Sequence, residues 1–503
     1  MSIHFTAPIH EVIGDRHHGA AAAGNFAAAE QAVAALTDAL SGGGEHDKVL
    51  LRAAAGAGKS FALVRMVKEA LEHQACARVA ITAFANKQVF PLAGRLGDEL
   101  GADRVCLFVA KDRQAQVPPE VQAKVTIAVR TTEIPASAEV VLGTSHKLGA
   151  FGERGRLMNH LGAAANGDRI FDVLLVDEAW QLAMHRFNAV EGLAPLVVGV
   201  GDVGQLPPLD PGRNPWRGDP GYNPYRAWPT AYEDKPTTFV VDLPAVWRPT
   251  AAQLPLWRAF YNDWEELDCV AAPGDRSLEL PLLAGPAADV WSAVATGRPT
   301  LLEVEGLDEP DAADIDPPLL GVLEELLFPL LEGGFAVNER EYDDTGQPKD
   351  GVRRVESWTP TGDPLIVILA TRNQAVDDAA EIADRLTEKL SLPDGVIQAS
   401  TVDSWQGQTN RLTVAVHPLS GASKLDDFNS AFGRLAVTCT RATHGLLMVA
   451  RAGLDDLLVT APPRPGTPFG EPGPRSLPRQ THQRILGSFT RGTWHHNGAT
   501  AAR

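Results

Sequence analysis

A glycine-containing turn between an apolar strand and a helix is the feature that most constrains how this chain folds. Residues 49–60 read VLLRAAAGAGKS, which predicts a strand, a turn containing Gly56 and Gly58, and the start of a helix. Glycines let successive backbone N–H groups surround a phosphate at a helix N-terminus, where the helix dipole favours negative charge. Lys59 would then reach the β- and γ-phosphates of a nucleotide, and the Ser60 hydroxyl would bind Mg²⁺.

Two later predicted strands end in polar residues suited to phosphate hydrolysis. The segment LLVDEAWQ (174–181) ends an apolar run with Asp177, placed near the metal, and Glu178, placed near the γ-phosphate. Glu178 would orient and deprotonate the attacking water. The next run, VGVGDVGQLPP (198–208), places Gln205 where it can contact both the γ-phosphate and its water. ATP and Mg²⁺ are therefore the expected cofactors.

Short apolar runs alternate with helical patterns along most of the chain, which is typical of parallel α/β layers. We therefore predict an α/β fold with two doubly wound parallel-sheet domains and small insertions. The first domain covers 1–249, the second covers 250–460, and 461–503 form a basic, Pro-rich and partly disordered tail. Candidate strands lie at 48–53, 78–82, 139–143, 171–176, 195–200, 300–304, 364–370, 411–417 and 445–450. Candidate helices lie at 59–74, 88–100, 319–331, 374–390 and 426–438.

Three stretches inside these domains depart from the alternation. Residues 100–155 predict a small insertion, and the polar residues 333–362 predict another. Residues 207–230 are rich in proline and in aromatic residues, with Trp216 and Tyr222 lying among arginines. Aromatic rings beside arginines can stack on bases and neutralise phosphates. A rigid packed insertion is nevertheless the favoured interpretation of this loop.

Charge and composition exclude several classes of protein. With 45 Lys and Arg against 63 Asp and Glu, the formal net charge is −18, which argues against a protein that coats nucleic acid by charge alone. The four cysteines show no CxxC spacing, so neither a zinc site nor a disulfide framework is expected, and a reducing compartment fits. No apolar run approaches the length of a membrane span. We expect a cytoplasmic protein with no membrane partner.

The string GDVGQLPP (201–208) resembles the third motif of superfamily 1 helicases, GDxxQLPP, and the resemblance extends over about residues 25–452. The string DEAWQ (177–181) is similar to the DEAxQ form of the branch typified by the nonsense-mediated-decay RNA helicase. The resemblance implies two RecA-like domains of the P-loop NTPase class. It also implies ATP-driven movement along single-stranded DNA or RNA in the 5′→3′ direction.

Further site residues follow from the resemblance alone. Gln31, in the segment NFAAAEQ (25–31), would read adenine, and Gln374, in TRNQ (371–374), would contribute to nucleotide binding. Contacts with the single strand are implied for short segments of both halves, namely Thr82, Phe84, Asn86, Thr144, Ser145, Thr401 and Trp405.

Two arginines of the second half, Arg248 and Arg441, are expected to act on the phosphate being transferred. Arginine supplies a planar, permanently ionised group that stabilises the charge of this transition state. Since Lys59 lies in the first half of the chain, ATP binding would close the two domains and hydrolysis would release them. Such a cycle is that of a stepping motor.

The sequence also departs from the family pattern. Ala53 replaces the first glycine of GxxxxGK[ST], and Trp247 replaces a tyrosine of the LxxxYR segment. Thr409 stands where the family often has glutamate, which puts the contact with the nucleotide sugar in doubt. The β-barrel that some relatives insert between the first strand-contacting segment and the DEAxQ strand is expected to be very small or absent.

Other classes of protein fit less well. A P-loop kinase has no use for GDxxQLPP or VTCTRA (437–442), and a GTPase would need NKxD where residues 86–89 read NKQV. A nucleic-acid-stimulated ATPase switch that recruits or remodels partners without unwinding shares all the motifs and stays open, as do possible protein partners. DNA is slightly favoured over RNA as the bound strand.

Overall fold

The computed structural model describes residues 2–9, 14, 16–165, 167–204, 208, 223–261, 264, 267–312, 315–359, 364–371, 373–425, 432–461 and 478–496. The chain divides into two compact units. The P-loop unit consists of residues 24–244, and the second unit contains the described residues of 2–23 and 245–496. The predicted boundary at 249/250 therefore lies a few residues later than the observed one, and the first residues of the chain belong to the second unit.

The described strands, in chain order, are β1 (Phe5–Thr6), β2 (Lys48–Ala53), β3 (Val79–Ala83), β4 (Val105–Phe108), β5 (Thr126–Ala128), β6 (Val140–Thr144), β7 (Val173–Asp177), β8 (Leu196–Asp202), β9 (Thr238–Leu243), β10 (Ala245–Val246), β11 (Asp268–Cys269), β12 (Arg276–Glu279), β13 (Thr300–Glu305), β14 (Ala336–Glu339), β15 (Arg353–Glu356), β16 (Ile366–Ala370), β17 (Ile397–Thr401), β18 (Asn410–Val416), β19 (Ala442–Arg451) and β20 (Thr490–His495).

The described α-helices are α1 (His18–Leu40), α2 (Lys59–Glu72), α3 (Asn86–Leu100), α4 (Pro119–Gln122), α5 (Ser145–Leu148), α6 (Glu153–Leu161), α7 (Met184–Phe187), α8 (Leu254–Phe260), α9 (Gly285–Ala295), α10 (Pro317–Gly333), α11 (Asn373–Leu390), α12 (Phe432–Cys439), α13 (Leu454–Thr460) and α14 (Pro478–Leu486). Within the described ranges, none of these helices is both long enough and apolar enough to cross a membrane.

The P-loop unit is built on an eight-stranded sheet with the order β5-β4-β6-β3-β7-β8-β2-β9. All neighbouring strands in it run parallel. Every residue of β3 and β8 is buried, as expected for central strands of a parallel sheet covered on both faces. Because all strands run the same way, their carboxyl ends bring the P-loop, the residues after β3 and β6, and Asp177 to one edge.

The second unit contains a seven-stranded sheet with the order β1-β20-β13-β19-β18-β16-β17. Only β1 runs antiparallel to its neighbour among these described strands. Helices α9, α10 and α11 pack on it through a core that includes Trp291, Leu327 and Leu386. The predicted α/β fold with two doubly wound, RecA-like parallel sheets is therefore confirmed.

Part of the predicted basic, Pro-rich and partly disordered tail is ordered. Residues 478–496 form α14 and β20, and β20 pairs in parallel with β13. Ile485, Phe489 and Trp494 are buried, which explains why this segment is held in the sheet. Because arginine and proline dominate the composition of this segment, its few buried apolar residues could not be recognised from the sequence. Residues 462–477 and 497–503 of the predicted tail lie outside the described residues.

The predicted insertions prove to be parts of sheets. Residues 100–155 form β4, β5 and β6, so this segment extends the main sheet of the P-loop unit and contains no separate barrel. Residues 333–362 contribute β14 and β15, which pair with β12 in a three-stranded antiparallel sheet. Most of 207–230 lies outside the described residues, including Trp216 and Tyr222. At its described end, Trp228 is fully buried and stacks on Phe187 with 4.1 Å between ring centroids.

Candidate active site

The turn after β2 has the backbone that its glycines predict. Gly56 and Gly58 have φ of 73° and 95°, in the left-handed region that favours glycine. Gly58 precedes the first residue of α2, so unpaired N–H groups of the helix face the turn. The buried Asn25 of α1 donates its side-chain amide to Ala57 O at 2.8 Å. Asn25 therefore holds the turn, whereas Gln31 is exposed on the same helix and its predicted contact with adenine stays a prediction.

The Lys59 ammonium lies among three carboxylates of the P-loop unit. Its Nζ atom is 2.9 Å from Glu178 Oε1, and only 13% and 14% of the two side chains are exposed. Burial opposes the charged form of Lys59, but attraction to Glu178, Asp202 and Asp177 outweighs it and raises the pKa above its usual value. Lys59 is therefore cationic, as a group that binds phosphate must be.

Glu178 has an uncommon backbone conformation for a residue with a side chain. Its φ is 50°, in the left-handed region, and such strain is concentrated at functional positions. Its N–H donates to Asp177 Oδ1 at 3.0 Å, and Gln181 Nε2 donates to Glu178 Oε2 at 3.0 Å. With Lys59 on its other oxygen, the Glu178 carboxylate is held in one orientation.

The oxygen atoms near Lys59 fit a magnesium ion. Burial, together with repulsion by Glu178, raises the pKa of Asp177 above its usual value in spite of attraction to Lys59. A carboxylate in this situation is stabilised by an added cation. Magnesium in nucleotide sites is held by one or two carboxylates together with phosphate oxygens, and Ser60 and Asp177 would supply the protein ligands. Magnesium bound there would neutralise charge developing on the phosphates.

The neighbouring strand end adds one further residue to this edge. Asp202, the last residue of β8, is buried and accepts a hydrogen bond from Gly204 N at 2.9 Å. Sequence reasoning did not single out Asp202, although it belongs to the GDVGQLPP string. Gln205 lies outside the described residues, so its predicted contact with the γ-phosphate stays a prediction.

The residues of the P-loop unit that are predicted to contact single-stranded nucleic acid lie close together. Thr82 lies in β3 and Phe84 directly follows it. Thr144 ends β6 and Ser145 begins α5, and Ala83 pairs with Thr144 across the two strands. The hydroxyls of Thr82 and Ser145 are buried without a hydrogen-bond partner, so both keep unused bonding capacity at this edge. Phe84 lies 6.2 Å from the His146 ring. Asn86 is the first residue of α3.

An exposed aromatic residue that the sequence analysis missed lies just after this cluster. Phe151, between α5 and α6, is fully exposed at 102%. Its carbonyl accepts from Arg156 Nη2 at 3.1 Å, and Arg156 pairs with the buried Glu153 at 2.7 Å. Thr131 donates to the same Glu153 carboxylate. Arg156, which is itself partly exposed, thus links the loop to the buried Glu153 carboxylate, while the Phe151 ring faces solvent.

Arg248 and Arg441 come together within the second unit. Arg248 Nη1 donates to Thr440 O at 2.9 Å, one residue before Arg441. Arg441 is buried, with 1% exposed, and donates to Val437 O at 2.9 Å and to Gln408 O at 3.3 Å. Arg248 keeps part of its surface exposed. The two arginines therefore differ in burial: Arg441 is enclosed by its own unit, whereas Arg248 is partly open to solvent.

Arg276 is a further residue that no motif indicated. Its guanidinium donates to three successive carbonyls, those of Trp247, Arg248 and Pro249. These bonds fix the backbone of the turn that carries Arg248. A lone arginine on a short strand carries no sequence signal for such a role.

The other predicted residues of the second unit lie on separate elements. Gln374, in the first turn of α11, donates to Asp378 at 2.9 Å. Thr401 ends β17 and accepts from Ser404 N at 3.0 Å. Trp405 is buried and donates its indole N–H to Asn410 at 3.0 Å. In this conformation Trp405 belongs to the interior, and its contact with a strand stays a prediction.

Several solved structures are similar to this chain at low sequence identity. No family model and no curated protein matches the chain. Among solved structures, PRRSV helicase is similar with a TM-score of 0.35 and 13% identity, over 85% of this chain and 56% of that one. Arterivirus nonstructural protein 10, a helicase in complex with DNA, gives 0.38 and 14%, over 86% and 64%. The Pyrococcus furiosus Hef helicase domain gives 0.36 and 9%, over 85% and 96%.

The chain thus spans less than two thirds of the two viral helicases. All three TM-scores lie below 0.5.

Proposed function

We propose that this chain is an ATP-dependent helicase or translocase that moves along single-stranded nucleic acid. The observation that carries the proposal is the Lys59–Glu178 pair beside Asp177, at the carboxyl edge of a parallel sheet and next to a glycine turn. This arrangement supplies a phosphate-binding cation, a metal ligand and a general base for ATP hydrolysis. The residues after β3 and β6 at the same edge would bind the strand.

Finer features of the proposal come from the sequence. The GDVGQLPP and DEAWQ strings support the superfamily 1 branch that moves 5′→3′. Single-stranded DNA is slightly favoured over RNA, and Mg²⁺ is the proposed metal. The four cysteines are free and buried, which fits a reducing compartment and hence a cytoplasmic location.

The test is ATPase activity with and without single-stranded DNA and RNA. We expect stimulation by at least one of them, and loss of activity when Lys59 is replaced by alanine. Strand displacement from a duplex with a 5′ or a 3′ overhang then distinguishes a helicase from a switch that only hydrolyses ATP. The overhang that supports displacement gives the direction of movement. ATP hydrolysis that neither single-stranded DNA nor single-stranded RNA stimulates would reject the proposal.

Replacing Phe151 by alanine should weaken single-strand binding by roughly 5- to 150-fold, because stacking of one base on an aromatic ring contributes about 1–3 kcal/mol. The melting temperature should not change, since the ring is fully exposed. Fluorescence anisotropy with a labelled oligothymidylate measures the affinity. Phe151→Trp should restore it, because tryptophan also stacks.

The matched control is Leu282→Ala, an apolar side chain of the second unit that is equally exposed at 103%. A second control is a strand of abasic sugar-phosphate, which the parent and Phe151→Ala should bind equally. If Phe151→Ala binds oligothymidylate as well as the parent does, the ring has no part in strand binding.

A further inference from the structure

A chain of side-chain hydrogen bonds joins Glu178 to the predicted strand-contacting segment after β3. Gln181 Nε2 donates to Glu178 Oε2 at 3.0 Å. Gln88 Nε2 donates to Gln181 Oε1 at 2.9 Å. Gln88 Oε1 accepts from the backbone N–H of Ala85 at 2.9 Å. Two glutamines therefore connect the proposed general base to a backbone group that lies between Phe84 and Asn86.

The direction of these bonds is fixed by the two ends of the chain. The ionised carboxylate of Glu178 can only accept, and the N–H of Ala85 can only donate. Each glutamine amide therefore presents its NH₂ group toward Glu178 and its oxygen toward Ala85. Rotating either amide by half a turn would place two donors or two acceptors against each other. The order of donors and acceptors between Ala85 and Glu178 is therefore fixed at both ends.

Burial makes this arrangement costly to break. Only 8% of Gln181 is exposed, and an amide buried without hydrogen-bond partners destabilises the folded protein. The bond to Glu178 is charge-assisted and hence stronger than a bond between neutral groups. Lys59 holds the other oxygen of Glu178 at 2.9 Å. The orientation of the carboxylate thus depends on Gln181 on one side and on Lys59 on the other.

The hydrogen-bond series ends at Ala85, next to the residues that are predicted to bind single-stranded nucleic acid. Ala85 immediately precedes α3 and has an extended backbone, and Gln88 occupies the third position of that helix. Its side chain therefore caps the helix start by returning to the Ala85 N–H. Any displacement of residues 84–86 moves this N–H and hence the Gln88 amide.

We propose that Gln88 and Gln181 are positioning residues that couple occupancy of the strand site to the orientation of the Glu178 carboxylate. This inference rests on the proposed function, since it requires a strand site and a hydrolytic glutamate. Coupling between two sites typically changes an affinity by about 5- to 150-fold, and we take the same scale for its effect on turnover, where reciprocity is not required. Here it would appear as stimulation of ATP turnover by the single strand.

Gln88→Glu separates coupling from helix capping. A glutamate at this position still accepts from Ala85 N–H, as in an ordinary capping box, but it cannot donate to Gln181. Gln181 would then face two carboxylates with one NH₂ group. We expect the ratio of strand-stimulated to basal ATP turnover to fall at least about fivefold. Basal turnover is measured beside stimulated turnover to give the ratio. Strand affinity without nucleotide should stay within about twofold of the parent, and the melting temperature within a few degrees.

The matched control is Gln122→Glu, which changes another glutamine of the same unit, bonded to Val117 O. It should leave the stimulation ratio unchanged. Gln88→Ala offers a second variant should Gln88→Glu fail to fold. Combined with Gln181→Leu, it completes a double-mutant cycle in which the two losses of stimulation should be strongly non-additive.

Parental stimulation in both Gln88 variants would overturn the coupling inference, while the ATPase and the strand site would stand. Additive losses in the cycle would overturn it as well, because independent residues do not form one chain. A parent that hydrolyses ATP without any response to single strands would instead reject the proposed function, and the inference with it.

Discussion

Replacing Glu178 by glutamine should lower ATP turnover on the order of 10²-fold or more, the scale of a lost general base, while ATP binding is retained. The carboxylate lies 2.9 Å from Lys59 and 3.0 Å from Gln181, so its position next to the phosphate-binding lysine is fixed. The neutral amide preserves its size and one of its oxygens. It cannot take a proton from water, however, and this loss affects the chemical step.

Two measurements separate binding from chemistry in this variant. Phosphate release at saturating ATP gives turnover, and titration with a fluorescent ATP analogue gives affinity. The control is Glu139→Gln, which alters a surface carboxylate of the same unit that pairs with Arg104. Near-parental turnover in Glu178→Gln would remove Glu178 from the mechanism.

The position of Glu178 could be predicted because buried parallel strands are simple to recognise. Strand β7 is a run of apolar residues that ends at Asp177, and the two acidic residues interrupt that run. The same reasoning located β2 and the turn with Gly56 and Gly58. Each of these residues directly follows the apolar run of its own strand. Because the carboxyl ends of parallel strands meet at one edge of the sheet, the topology also predicts which of these residues become neighbours.

Residues that act through a side chain distant in sequence could not be predicted in this way. Asn25 reaches Ala57 from α1, and Gln88 reaches Gln181 from α3. Arg276 binds carbonyls of the turn at 247–249 from a short antiparallel strand. Each of these contacts depends on the rotamer of one polar side chain. No periodicity of apolar residues encodes such a choice.

The ends of the chain show a second limit. Strand β20 forms the parallel partner of β13, and β1 pairs with β20, yet neither strand shows a continuous apolar run. Phe5 packs over Gly492, where a Cβ would meet its ring. At the β1–β20 pair the apolar pattern is reduced to one aromatic residue against one glycine, and a pattern so short cannot be distinguished from loop sequence.

Arg248→Lys should lower ATP turnover roughly 10³-fold while the melting temperature stays near that of the parent. Arginines that stabilise the transferred phosphate contribute on this scale, and lysine keeps the charge but loses the planar fork. Arg248 is partly exposed and bonds to Thr440 O. Because lysine keeps a cationic donor and the site is open to water, we expect the substitution to cost little folding free energy. The control is Arg258→Lys, whose arginine also donates to a backbone carbonyl, that of Leu267.

Arg441→Lys should behave differently, because this guanidinium is buried and bonded to Val437 O and Gln408 O. Lysine cannot satisfy both carbonyls and the Thr440 hydroxyl, and unsatisfied buried groups cost about 1–3 kcal/mol each. The melting temperature should fall by roughly 5 °C or more. Turnover should fall as well if Arg441 also acts on the phosphate, as the sequence predicts. Thermal unfolding and phosphate release, measured on both variants, distinguish the two roles. Unchanged turnover in Arg248→Lys would leave Arg441 as the remaining candidate. A stable but inactive Arg441→Lys would show that the buried hydrogen bonds of Arg441 are dispensable for folding and that its guanidinium is essential for hydrolysis.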